Sequence, residues 1–120
     1  DRYRSLSAFA PIAAPMQCPW GRKAFSGYLG PDERTWLDYD ASVLVAQHPF
    51  HAQILVDQGT ADKLLAEQLN TEIFADACRR SGQAFELRMH PGYDHGYYFI
   101  QTFMAEHLRW HAASLGAGCP

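Results

Sequence analysis

The feature that most restricts what this chain can become is one short run, Gln53-Ile54-Leu55-Val56-Asp57-Gln58, closed at once by Gly59-Thr60. Three apolar residues in a row leave no wet face, so the run reads as a buried strand of a parallel sheet. A helical pattern follows from about Ala66: Leu65, Leu69, Ile73 and Ala77 form one stripe, Phe74 and Cys78 flank it, Arg79 and Arg80 sit at the negative end, and Gly82 is the stop. Another strand is expected over residues 85–89. A last helix then carries Phe99, Ile100, Phe103, Met104, His107, Leu108 and His111 at three-and-four spacing up to Leu115. An earlier strand spans residues 5–9 and ends at Ala10-Pro11, where proline removes a ladder donor and holds the preceding residue extended. Strands alternating with helices make an α/β fold of about three parallel strands with right-handed crossovers and flanking helices.

Between the first two strands the pattern is irregular. Ala13-Ala14-Pro15-Met16-Gln17-Cys18-Pro19-Trp20-Gly21 is a loop by its prolines and glycine, with short helical turns expected at residues 22–29 and 33–39 and a third, capped by Asp40, through Ala46. A connection this long inside a compact unit is usually functional. It is expected to wall one side of a pocket, with Trp20, Phe25, Tyr28 and Trp36 as lining candidates. Simple packing of the connection onto the body is the plainer account of any one of these aromatics.

Parallel strands bring their carboxyl ends to one edge, the rim where open α/β sheets place ligands. Asp62 lies four residues past Gln58, and His95 sits in His90-Pro91-Gly92-Tyr93-Asp94-His95-Gly96, just past the third strand. An imidazole there can accept and return a proton near neutral pH, although a loop histidine beside Asp94 could also merely cap the next helix. Of the carboxylates that could hold it, Asp57 lies within the strand, and Asp94 is adjacent and would reach the ring only with strain. Asp62 is free to cross to the neighbouring loop. Asp62 and His95 would make two thirds of a hydrolytic triad.

Several segments resemble one family. Ser7-Ala8-Phe9-Ala10-Pro11-Ile12, Cys18-Pro19-Trp20-Gly21, Lys23-Ala24-Phe25-Ser26-Gly27-Tyr28-Leu29-Gly30, Asp57-Gln58-Gly59 and Gly92-Tyr93-Asp94-His95 with Tyr97-Tyr98-Phe99-Ile100 are similar to the S-formylglutathione hydrolases, the esterase D family. The resemblance covers nearly the whole chain. It implies an α/β-hydrolase fold and thioester hydrolysis, S-formylglutathione to formate and glutathione, within formaldehyde detoxification. A general short-acyl carboxylesterase is the runner-up. The triad acid of the family falls on Asp62, its base on His95, and a tryptophan bordering the active site on Trp20, a candidate substrate contact.

The departure is as informative. The nucleophile of the family is a serine in Gly-His-Ser-Met-Gly-Gly, and no Gly-x-Ser-x-Gly occurs in this sequence. The chain also opens at Asp1-Arg2-Tyr3-Arg4 without Met and runs at once into an apolar alternation. It is therefore expected to be a single partial domain over residues 1–120, the carboxyl-terminal part of the enzyme, or an inactive fragment kept as an interaction unit. Cys18 could replace the serine only against the proline that follows it.

A formal charge of -3 with scattered Lys and Arg gives no footprint for nucleic acid. No apolar run is long enough for a bilayer and no signal-peptide pattern is present, so a soluble, cytoplasmic protein without membrane partners is expected. Cys18, Cys78 and Cys119 have no metal-type spacing; Cys78 reads as a core residue and Cys119 as a tail thiol. His107 and His111 have the i, i+4 spacing of zinc ligands but lack a third, so packing is favoured, and His48 and His51 are judged alike. The implied chemistry requires no metal or organic cofactor. Three parallel strands lacking the remainder of a larger sheet would expose an apolar edge, so a homo-oligomer is expected. Sedimentation velocity should show a dimer or larger species, and a monodisperse monomer would contradict this.

Overall fold

The central strand is buried at every position, as its apolar run requires. The computed structural model describes residues 2–116, so the Cys119 expectation lies outside the described residues. In chain order the elements are β1 (Leu6–Phe9), α1 (Pro19–Leu29), α2 (Ala41–Gln47), β2 (Ile54–Gly59), α3 (Thr71–Ser81), β3 (Phe85–His90) and α4 (Tyr97–Ser114), with tighter or wider helical turns at Pro15–Gln17, Glu33–Tyr39 and Leu65–Leu69. β2 lies between β1 and β3, parallel to both, and Asp57 stands in register with Phe9 and Arg88. The expected α/β architecture of three parallel strands with flanking helices is what the chain adopts.

Side chains alternate across β2, so each face takes a different partner. Ile54 and Val56 pack with Val45 of α2 and with Phe74, Ala77 and Cys78 of α3. Burial raises the Cys78 thiol to about 11, slightly opposed by Arg79, which suits an inert core residue. On the other face Phe99 of α4 joins Ala10, Leu69 and Phe9. Asp40, itself fully buried, caps α2 by accepting from Ser42 N and Val43 N, and its other oxygen accepts from Met16 N at 2.9 Å. One carboxylate thus ties two parts of the long connection together. Among the described residues no helix is long and apolar enough to cross a membrane.

Two local expectations are corrected. Ala10 is not extended before Pro11: its φ is +44°, and it holds that strained angle while its amide donates to Asp57 O at 2.8 Å and its methyl packs on Leu69 and Phe99. The helix expected from Ala66 is broken at Asn70, which is left-handed at φ 47° and ψ 47°. Leu65 and Leu69 belong to the cluster under α4, whereas Phe74, Ala77 and Cys78 belong to the opposite cluster. No straight helix could serve both faces, so the chain turns between them.

Asp57 is the polar centre of the α4 face. Its carboxylate has no exposed surface and accepts from Arg88 Nε and one Arg88 terminal nitrogen at 2.6 Å each, from His90 Nε2 at 3.0 Å and from His107 Nε2 at 2.8 Å. His107 also stacks on Phe9, with ring centroids 3.8 Å apart, and its Nδ1 meets Ser7 Oγ at 2.8 Å. Ser7 in turn meets His111 Nε2 at 2.8 Å, and His111 Nδ1 meets Ser5 Oγ at 2.7 Å. The imidazoles expected only to pack also carry a hydrogen-bonded run from β1 through α4 to Asp57. The described residues contain no group of three or more His, Cys, Asp or Glu side chains that could hold a metal ion.

Burial by itself would raise the Asp57 carboxyl, but the Arg88 guanidinium and then His90 and His107 outweigh it and hold the pKa at about 2 rather than 3.8. The ionised form is the bonded one. Its contribution is therefore complete above the ordinary carboxylate range and is lost as pH falls through the depressed value. A shift of that size corresponds to about 2 kcal/mol. Denaturant titrations taken from about pH 5 down to about pH 2 should show a loss of that order that Asp57→Asn lacks.

Candidate active site

The rim at the carboxyl ends of β2 and β3 is built from backbone before any side chain reaches it. Thr60 N donates to His90 O at 3.0 Å, Ala61 N to Tyr93 O at 3.0 Å, and Gly92 N to Thr60 Oγ1 at 3.2 Å. The loop after β2 and the loop after β3 are thereby stitched together. Gly59 is required at their closest approach: a Cβ there would stand 2.2 Å from the Tyr93 carbonyl oxygen. The Asp94 carboxylate accepts from Gly96 N at 2.7 Å, tightening the turn that delivers His95 to the start of α4.

On this frame Asp62 Oδ2 and His95 Nδ1 lie 2.7 Å apart. The Asp62 side chain is fully buried and that of His95 is 46% exposed. Asp62 Oδ2 also accepts from Gln58 Nε2 at 3.0 Å, and Oδ1 accepts from Leu64 N at 2.9 Å. Burial works to raise this carboxyl, but the Leu64 amide, His95 and Gln58 together bring it below its usual range. An ionised carboxylate can only accept, so Nδ1 of His95 is the donor and Nε2 is the ring nitrogen left free. A neutral imidazole held in that tautomer can take a proton from a nucleophile and return it.

The other acid candidates are committed elsewhere: Asp57 to Arg88, His90 and His107, and Asp94 to its own turn. Trp20 stands apart from the pair. It is 50% exposed and borders a surface hollow with Lys23, Ala24, Gly27 and Tyr28, none of which lines the hollow formed by Ala61, Asp62, Lys63, Leu64, Asp94, His95 and Gly96. Trp36 is buried, donates through Nε1 to Gly30 O at 3.0 Å and packs edge-on against Phe25. Phe25 and Trp36 therefore hold the connection together internally rather than wall a pocket.

Each serine hydroxyl is already engaged away from His95. Ser5 and Ser7 bond His111, Ser26 donates to Lys23 O, Ser42 to Asp40, Ser81 to Cys78 O and Ser114 to Trp110 O. Cys18 is buried and caps α1, its sulfur accepting from Gly21 N and donating to Pro15 O. That thiol is structural, which removes the alternative nucleophile. Gln58 escaped the sequence reading, although a polar side chain ending a buried apolar strand is itself a signal that it must be paired.

The stitched loops give a direct test. Gly59→Ala should push the His95 loop off Asp62, abolishing the low-field proton NMR signal of His95 Nδ1–H and lowering stability by about 1–3 kcal/mol. A variant that keeps both signal and stability would show that the close approach is not needed.

A family model described as "Putative esterase" matches residues 1–110. Over 116 residues the chain is 47% identical to an S-formylglutathione hydrolase of Arabidopsis thaliana, an alignment covering 96% of this chain and 41% of that protein. Over 118 residues it is 52% identical to an S-formylglutathione hydrolase of Mus musculus, covering 97% of this chain and 42% of that one. The solved structure of an S-formylglutathione hydrolase from Agrobacterium tumefaciens matches at a TM-score of 0.91 and 46% identity, over 95% of this chain and 41% of the other. The three strands and their helices thus have the α/β-hydrolase arrangement expected of them, and the chain spans about 41% of the length of these relatives. With its model matching all but the last ten of 120 residues, the family is shown, and the chain belongs to these esterases.

Proposed function

We propose that this chain is the acid-and-base part of a serine-type thioesterase that hydrolyses S-formylglutathione to formate and glutathione, the nucleophile coming from a part of the protein outside these residues. The observation that carries the reading is the 2.7 Å bond between a buried carboxylate and a half-exposed imidazole at the sheet rim. The names of the relatives supply the thioester.

In this reading His95 Nε2 takes the serine proton as the hydroxyl attacks the thioester carbonyl, while Asp62 keeps Nδ1–H aligned and stabilises the imidazolium. Backbone amides beside the nucleophile hold the oxyanion. The imidazolium then protonates the leaving sulfur, and glutathione departs as the thiol. Neutral again, His95 draws a proton from water attacking the formyl-enzyme, and returning that proton to the serine releases formate. The proton never passes to Asp62, whose depressed pKa keeps it ionised throughout. Trp20 belongs to the substrate side of the site only if the rest of the protein closes the distance between its hollow and the pair.

In the full-length protein His95→Ala and Asp62→Asn should each lower kcat by about 10⁴. The 120-residue chain alone should not turn over an ester. Comparing kcat/KM for S-formylglutathione with that for a small aryl ester separates the thioesterase from a general short-acyl carboxylesterase. Full activity in His95→Ala, or fluorophosphonate-sensitive turnover by the isolated chain, would refute the assignment.

A further inference from the structure

The amide of Gln58 is one contact that a minimal triad does not call for. Gln58 is the penultimate residue of β2 and has no exposed surface. Its Nε2 donates to Asp62 Oδ2 and to Gly59 O, each at 3.0 Å. Both amide protons are used on oxygens that can only accept, so the group can stand only one way round. Its Oε1 is buried with no partner among the described residues. What the arrangement secures is a donor on Oδ2, the same carboxylate oxygen that faces the His95 ring.

We infer that Gln58 is a positioning residue for the acid–base pair: its Nε2–H fixes the rotation of the Asp62 carboxylate and shares the charge on Oδ2, so that the proton of the His95–Asp62 bond stays on Nδ1. This rests on the hydrolase reading above and deepens it. With Gln58 in place Oδ2 receives two donors and Oδ1 receives Leu64 N. Without it Oδ2 has the imidazole as its sole partner, becomes more basic, and can rotate about the Asp62 side-chain bond. The imidazole would then lose its fixed direction while the substrate lost no contact, because the Gln58 amide is sealed beneath the pair.

The test is made in the full-length protein, with S-formylglutathione and p-nitrophenyl acetate as substrates and His95→Ala as the reference for lost catalysis. Gln58→Met keeps the length of the side chain and removes the donor. It should lower kcat about tenfold with KM unchanged, the size expected for one lost hydrogen bond to a charged group. Gln58→Glu restores a donor only while its carboxyl is protonated, so its activity relative to wild type should fall as pH rises through the neutral range. Wild-type kcat in Gln58→Met, or a Gln58→Glu deficit equal at every pH, would overturn the inference while leaving the hydrolase reading intact. No hydrolysis by the wild-type protein, or full activity in His95→Ala, would instead remove the hydrolase reading and this inference with it. Thermal melts of both variants separate misfolding from mispositioning; if Gln58→Met does not fold, the pH profile of Gln58→Glu decides.

Discussion

The structure depends on a single buried charge. Asp57 sits in the middle strand with no surface of its own, and its partners come from three separate segments: Arg88 and His90 from β3, His107 from α4, and, through its backbone carbonyl, the amide of Ala10 just beyond β1. Removing a carboxylate from water is costly unless it is ion-paired and hydrogen-bonded, and here both conditions are met. The geometry of those bonds sets the register of β1 and β3 against β2. Because the register is set, both loops leave the sheet at the same height, and the acid and base arrive within bonding distance.

Two aspartates five positions apart thus do unlike work, and the difference is one of environment rather than residue type. Asp57 is surrounded by cationic and imidazole donors from two elements, β3 and α4, and is used up in holding them. Asp62 accepts from one amide, one carboxamide and one imidazole, and the imidazole is the only one of these that can carry a proton away. A carboxylate that supports a base must be ionised and fixed yet leave the ring partly open. The half-exposed His95 above the sealed Asp62 meets that description, while the deeply enclosed His107 beside Asp57 does not.

How much of this was legible follows from which forces act locally. Ile54-Leu55-Val56 announced a buried strand because no other element hides three such residues so simply, and the pairing of Asp62 with His95 followed from parallel topology before any distance was known. The break at Asn70 is illegible, since Leu65, Leu69, Ile73 and Ala77 continue one stripe in sequence while Leu65 and Leu69 pack on one face of the sheet and Ala77 on the other. At Ala10 the rule about the residue before proline gives way to a hydrogen bond that its amide donates to Asp57 O and to burial. Phe25 and Trp36 look like pocket residues in a list of aromatics, and only packing shows that they serve the connection. Gln58 went unread because its role exists only once the loop carrying Asp62 has folded back over it.

The stitching of the two rim loops has an outcome of its own. With Thr60 N, Ala61 N and Gly92 N all spent on bonds across the seam, and Gly59 seated against Tyr93 O, the acid and base ride on a single plate of backbone rather than on two independent arms. In the proposed reaction, accommodation of acyl groups of different bulk falls to whatever surface confronts that plate, because the plate has no slack to offer.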